Sequence, residues 1–294
     1  MGQSAVATPS QLAALPRPAR PWRFLSRHLT VIIGAGLLIV LLMLSIGAPL
    51  ITPYNPLALD VLHRLRPPSA DHWFGTDNYG RDVFSRTLYG GRISLLVGFS
   101  ATLLSGLTGT AIGTAAGMFR WADAVLMRVM DGLMAIPSIL LAVAMMTLVH
   151  PGVLIVVVAI TIPEVPRIAR LVRSVTLVIR EQAYVEAARA VGTRLPALLL
   201  RHILPNALTP IIVQATYVCA SAVLIEAYLG FLGVGVPPEI PSWGNIISDG
   251  RTYVQLAIWI VLFPGAFLGT MVMAINMLGD GIRDSLDPRL ARRL

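Results

Sequence analysis

The chain reads as an all-α polytopic membrane protein with six transmembrane helices, and three observations carry that reading. The first is composition: 55% of residues are hydrophobic, only 13% are charged, and the mean hydropathy is +0.74. A soluble domain carries about 25% charged residues, so much of this surface faces lipid. The second is a set of five charge-free runs, one of them 32 residues long and able to supply two spans. The third is the placement of arginine, which alternates between the segments that join those runs.

The elements follow in chain order. Residues 1–29 read as a disordered cytoplasmic tail rich in Pro, Arg and Ala. Residues 30–51 form the first span, too long for the core of a cleaved signal peptide. Residues 52–92 form an extracytoplasmic segment. Within it Tyr79, Val83, Phe84 and Leu88 share a helical face, which predicts a short helix lying in the interface, with Trp73 and Phe74 as aromatic anchors.

Residues 93–290 make up the main membrane domain, spans two to six, and 291–294 a short C-terminal tail. The second span lies in Ile93–Phe119. The run Gly132–Pro163 divides at His150-Pro151-Gly152 into spans over roughly 131–149 and 152–170. Pro163 and Pro166 should break or kink the fourth span. Ala207–Ile225 is the fifth. Val234–Gly250, with Pro237, Pro238 and Pro241, reads as a structured outer loop. Thr252–Gly279 holds the sixth span, kinked mid-way at Pro264-Gly265.

All 23 basic residues are arginine. With the N-terminus inside, 17 arginines fall on the inner segments and six on the outer, so both termini are expected in the cytoplasm. The net charge of +8 reflects this bias rather than a nucleic-acid surface. The absence of lysine excludes a Walker A phosphate loop and a Schiff base, so the chain is not itself an ATPase of that class. The single cysteine, Cys219, can form no intrachain disulfide and no CxxC metal site, and reads as a small packing residue.

Ala101, Ser105, Gly109, Gly113 and Gly117 recur every four residues along the second span. Such a strip lets another helix approach closely, either in a partner subunit or within the chain. No catalytic constellation is present: the five histidines are scattered, and HExxH and GxSxG are missing. Asp131, Glu164 and Glu226 lie near predicted span ends. Ionisable groups there are pathway candidates, with simple interface placement as the alternative.

One polar stretch remains, EQAYVEAARAVGTRLPALLLRHILPN over 181–206. Its first part holds strong helix formers, and Gly192 suits the left-handed position that ends a helix. Thr193 can cap a second helix, with Pro196 tolerated in its first turn. Leu195, Leu198, Leu199 and Ile203 share a face, and Pro205 is expected to end that helix before Pro210 opens the fifth span. The pattern predicts a rigid two-helix knob on the arginine-rich side, its surface kept shallow by Ala187 and Ala188. It suits either a docking knob or an amphipathic loop on the membrane surface.

Glu186-Ala187-Ala188, then Gly192, then Ile203-Leu204-Pro205 resembles the EAA signature of ABC importer permeases. Further segments resemble the shorter, C-type permease of the dipeptide/oligopeptide/nickel branch. They include Phe74-Gly75-Thr76-Asp77, Gly80-Arg81-Asp82, Ser85-Arg86, Pro241-Ser242-Trp243-Gly244, Leu262-Phe263-Pro264-Gly265 and the tail 278–289. The resemblance spans about residues 22–290.

The resemblance implies a type I importer permease fold with a cytoplasmic EAA coupling hairpin, in a bacterial or archaeal inner membrane. The coupling residues it implies are Glu186, Ala187, Ala188, Arg189, Gly192, Ile203, Leu204 and Pro205. The implied partners are a homologous second permease, two ABC ATPases and a periplasmic or extracellular substrate-binding protein. ATP and magnesium would sit on the ATPases, with no cofactor or metal in this chain. Glu164, Glu226 and Pro264 are pathway or gate candidates. Asp77, Arg81, Asp82, Arg86 and Trp243 are candidates for the surface on which the binding protein lands. The expected function is ATP-driven peptide import. The alternatives are nickel or glutathione as substrate, an ion-coupled carrier without ATPases, and, least favoured, an intramembrane enzyme.

Overall fold

The computed structural model describes residues 29–149 and 152–286. The expected tails at 1–29 and 291–294, the arginines beyond 286 and the turn residues His150 and Pro151 lie outside the described residues, apart from Leu29. Among the described residues the regular structure is helical, save one isolated bridge between Thr76 and Asp82.

Helix α1 (Leu29–Ile46) is charge-free and continues after Gly47 as one turn, Ala48–Ile51. It lies against the last helix, α9 (Trp259–Leu286). Gly34 permits this: a Cβ there would sit 2.8 Å from the Ala274 carbonyl oxygen.

Helix α2 (Val83–Met118) has 36 residues, which makes it about 54 Å long. Asp82 caps it, accepting from the Ser85 backbone N–H at 2.7 Å and the Ser85 hydroxyl at 2.7 Å. That cap removes the separate interfacial helix the sequence predicts, because Val83 to Leu88 are the first turns of the span itself. Gly90 and Gly91 do not interrupt it, since each receives a neighbour, Ser242 and Trp243 respectively, against its bare Cα. The predicted anchors also divide. Trp73 is exposed, whereas Phe74 stacks on Phe263 at 3.9 Å and meets Phe84 edge-on.

The predicted third span is not one helix. Helices α3 (Arg120–Met134) and α4 (Ser138–Leu148) meet at 87°. Pro137 lies in the break, and a proline disfavours helical geometry in the residue before it. Helix α5 (Val153–Arg180) runs through Pro163 and Pro166 without a break, so of the expected break or kink the break does not occur. Both prolines are buried among neighbouring helices, which hold the backbone where its hydrogen bonds are lost.

After α5 come α6 (Ala183–Ala190), a turn at Leu195–Leu198, a π-helical turn at Leu199–Ile203 and α7 (Leu204–Phe231). The last three run as a single 37-residue helix, Leu195–Phe231. Helix α8 (Trp243–Gly250) and a 3₁₀ turn (Arg251–Tyr253) precede α9. Pro264 therefore sits in the second turn of α9, not mid-way along it.

Helices α1, α2, α9 and Leu195–Phe231 are long and apolar enough to cross a membrane, and the bent pair α3–α4 makes a fifth. Helix α5 has the length, but Glu164, Arg167, Arg170 and Arg173 break its apolar run. Against six expected crossings, four or five helices among the described residues qualify by length and composition, with α5 apolar only in its first half. The main core lies between α2, α4, α5 and α7, where Val97, Met146, Ile160 and Ile225 meet. Outward-facing Val40, Met43 and Leu262 are exposed, as lipid-facing side chains are. Cys219 is buried in a second cluster with Leu95 and Met271, the packing role its surroundings suggest.

Candidate functional site

The small-residue strip of α2 packs within the chain. Ala101, Ser105, Gly109, Gly113 and Gly117 are all buried. An added Cβ at Gly109 would meet Ile168 at 2.8 Å, at Gly113 the Ala169 carbonyl, and at Gly117 the Thr176 side chain at 2.6 Å. All these neighbours belong to α5. The strip thus holds α5, and what α5 carries at its end, directly on α2.

Helix α5 carries the hairpin. Only Glu181 and Gln182 separate it from α6. Gly192 has φ +84°, and the α6 end closes as a Schellman motif. Its N–H donates to the Arg189 carbonyl at 2.9 Å, and that of Thr193 to the Ala188 carbonyl at 3.0 Å. The Thr193 backbone N–H thus closes the first helix, and the second starts one residue too late for Thr193 to cap it. Arg194 holds that place, without a side-chain cap bond.

The second half of the hairpin runs straight into α7. Pro205 does not end the helix. Proline lacks the N–H and its ring crowds the carbonyl four residues back, and here a wider π turn just upstream carries the helix past it. The buried positions follow this turn: Leu198, Ile203 and Ala207 step by five and then four. Of the predicted apolar face, Leu195 is exposed at 38%, because the face turns away before the π turn.

A small core fixes the knob. Val185 of α6, fully buried, packs with Ile179 of α5, Leu198, Ile203 and Ala207. Val185 is missing from the predicted residues because one valine in a charged stretch shows no period. Glu186, Ala187, Arg189, Gly192 and Pro205 are exposed. Ala188 and Leu204 are half-buried, and Ile203 is an inner anchor rather than a surface group. Val191 at the tip is 87% exposed.

At the opposite end Asp77, Arg81, Asp82, Arg86 and Trp243 are all buried, so they cannot form a landing surface as the sequence suggests. They fasten the segment before α2 to α8 instead. Asp77 Oδ2 accepts from Arg81 Nε at 2.7 Å and Arg86 Nη1 at 2.6 Å. Asp249 Oδ2 accepts from Arg81 Nη2 at 2.9 Å and Arg86 Nη1 at 3.1 Å. Two guanidinium groups face two carboxylates, so the charges cancel where water is scarce. Asp249 lies 163 residues beyond Arg86, beyond the reach of any sequence spacing. The Trp243 indole N–H donates to the Thr87 carbonyl at 2.9 Å, tying α8 to α2. In the exposed loop nearby, a hydrogen bond with His63 holds the Asp60 carboxyl below its usual pKa.

The pathway candidates lie inside helix contacts. Glu164 of α5 accepts from Arg167 Nη1 and from the Ser221 hydroxyl of α7, both at 3.2 Å. Glu226 Oε2 accepts from the Ser94 hydroxyl at 2.7 Å, and its Oε1 has no partner among the described residues. Pro264 is buried in α9. None of the three lines the large apolar groove of about 810 Å³ that opens between α2 and the start of α7. Phe99, Leu103, Leu107, Leu208 and Ile211 line that groove. Among the described residues no group of three His, Cys, Asp or Glu could hold a metal ion.

Comparison with known proteins gives this arrangement a context. Residues 109–292 match the model of the binding-protein-dependent transport system inner membrane component, and residues 19–68 the N-terminal TM domain of oligopeptide transport permease C. A probable peptide ABC transporter permease protein of Sinorhizobium fredii is 52% identical, over 92% of this chain and 93% of its own length. A putative peptide transport system permease protein of Brucella abortus is 47% identical, over 91% and 90%. The dipeptide transport system permease protein DppC of Alkalihalophilus pseudofirmus is 43% identical, over 92% and 90%. Among solved structures, a chain of the inward-facing MetNI methionine ABC transporter superposes with a TM-score of 0.51 at 25% identity, covering 66% of this chain and 94% of that one. The fold is that of a type I importer permease, and the chain belongs to the family of binding-protein-dependent transport system inner membrane components.

Proposed function

We propose that this chain is one of two membrane-spanning subunits of an ATP-driven importer of di- or oligopeptides. A homologous permease would complete the pathway, and two ATPase subunits holding ATP and magnesium would drive it. An extracytoplasmic binding protein would deliver the peptide. Both termini and the hairpin would lie in the cytoplasm, as the arginine distribution supports.

The observation that carries the reading is the hairpin. Its outer surface, Glu186 to Gly192, is open to a partner, while Val185 and Ile203 lock its inner face to α5 and α7. A knob built this way passes a push from a partner into two membrane helices. The names of the relatives in Sinorhizobium, Brucella and Alkalihalophilus favour a peptide as cargo. An ion-coupled carrier would need an accessible carboxylate within the membrane. Glu164 and Glu226 are instead fully buried against Arg167, Ser221 and Ser94, which argues against that alternative.

The test is reconstitution of the complete complex in proteoliposomes with a panel of dipeptides, longer peptides, glutathione and a nickel chelate. ATP-dependent uptake of peptides is expected, and Ala187→Trp on the exposed face should abolish it while membrane insertion is unchanged. Uptake that persists without ATPase subunits, or that Ala187→Trp leaves intact, refutes the reading.

A further inference from the structure

The second half of α5 bears a ladder of arginines. Arg167 stays within its own helix, on Glu164. The next three reach other elements. Arg170 Nη2 donates to Asp131 Oδ1 of α3 at 2.6 Å. Arg173 forks onto Asp123 of α3, with Nη2 to Oδ2 at 2.7 Å and Nε to Oδ1. Arg180 Nη1 donates to the Gly117 carbonyl at 2.7 Å, satisfying one of the bare carbonyls at the end of α2.

Beside the rungs, toward the start of α5, lies an apolar strip. Met127, Met130 and Leu133 of α3 pack on Val165 and Ala169 of α5. Such a strip resists separation of two helices but lets them slide, since dispersion contacts have no direction. A guanidinium fork on a carboxylate has direction, and it fixes register. The Arg173 and Asp123 side chains are 35% and 29% exposed, and Arg170 and Asp131 about half. Pairs this wet add little to stability. Their contribution is to hold α3 at one position along α5.

That position matters because of what α3 joins. One residue, Phe119, links it to α2, and its other end turns 87° into α4. Helix α4 enters the main core through Ala142 and Met146, against the first half of α5. The first helix of the hairpin begins at Ala183, three residues after Arg180. A shift of the hairpin thus has a short path through the arginine rungs to the α3–α4 elbow.

We propose that Arg173 and Asp123, supported by Arg170 and Asp131, are positioning residues that make the α3–α4 elbow follow α5 when the hairpin is pushed. This rests on the ATP-coupled reading above, and its test separates the two.

Spin labels on Val129→Cys of α3 and Val191→Cys of the hairpin, in a Cys219→Ala background, report the distance between elbow and hairpin. The purified complex should give a narrow distance distribution. Asp123→Arg should broaden it, and Asp123→Arg combined with Arg173→Asp should narrow it again. In proteoliposomes, peptide uptake per ATP hydrolysed should fall about fivefold or more for Asp123→Arg and for Asp123→Asn, and recover in the double swap. A distribution and a transport ratio that single substitutions leave unchanged overturn the proposal, as does failure of the double swap to restore them in a protein that inserts normally. If the parent complex shows no ATP-dependent uptake, the importer reading falls by itself, and the label distances still decide whether the rungs hold the elbow.

Discussion

The buried ionic cluster at the end opposite the hairpin shows what single side chains contribute here. Arg86 is fully buried between Asp77 and Asp249, whereas Arg81 sits nearer the rim, 10% exposed. Removing one partner of a buried pair leaves the other charge without compensation, at a cost of about 3 kcal/mol or more. Arg86→Leu should therefore destabilise the protein by about that amount, and Arg81→Leu by less, because water can reach Asp249 in its place. The order of the two melting temperatures in purified complex checks this; equal shifts would contradict it. These residues are visible in the sequence as a dense run of charge beside aromatics. That pattern looks the same for an exposed surface and an inward brace. What separates them is Asp249, which only the fold brings near.

At the scale of the element, the joint between α2 and α5 depends on glycines with no room for a side chain. Gly113 faces the Ala169 carbonyl and the Val172 Cβ, the latter 2.7 Å from an added Cβ, whereas Gly106, two turns earlier and beside the open groove, has nothing within 4 Å. Overpacking a tight contact costs about 1–3 kcal/mol. Gly113→Val should lower the melting temperature of the detergent-extracted protein, while Gly106→Ala should leave it unchanged or raise it slightly.

The strip was legible because small residues every four positions can only mark a close approach. Which helix approaches was not legible, since a partner chain would use the same pattern. The hairpin was legible in outline from Gly192 and its helix formers. The π turn was not, because Pro205 reads as a stop until the step of five between Leu198 and Ile203 is seen. The third span misled for a similar reason. Hydropathy over 131–149 is continuous, and one proline at 137 decides the bend.

For the whole molecule, the apolar groove between α2 and α7 stands uncovered among the described residues. Lipid chains fill a concave site of about 810 Å³ less closely than a packed helix does. A partner that binds only the folded chain raises its stability by mass action. Co-purification with a second permease should therefore raise the melting temperature by several degrees, read as thermal aggregation in detergent. Substituting Leu103 and Leu107 by Asn should remove that gain. No gain for the unaltered pair would place the subunit contact elsewhere.

Helix α2 links the extremes of the molecule. Its first turn holds Arg86 in the ionic cluster, and its last turn holds Gly117, grasped by Arg180 beside the hairpin. Some 30 residues of unbroken helix separate the two, a strut of about 45 Å. A strut has no slack. While it stays straight, a tilt at one end is a tilt at the other, so the ionic cluster and the hairpin end of α2 do not move independently. A state in which one end has switched and the other has not would require α2 to bend.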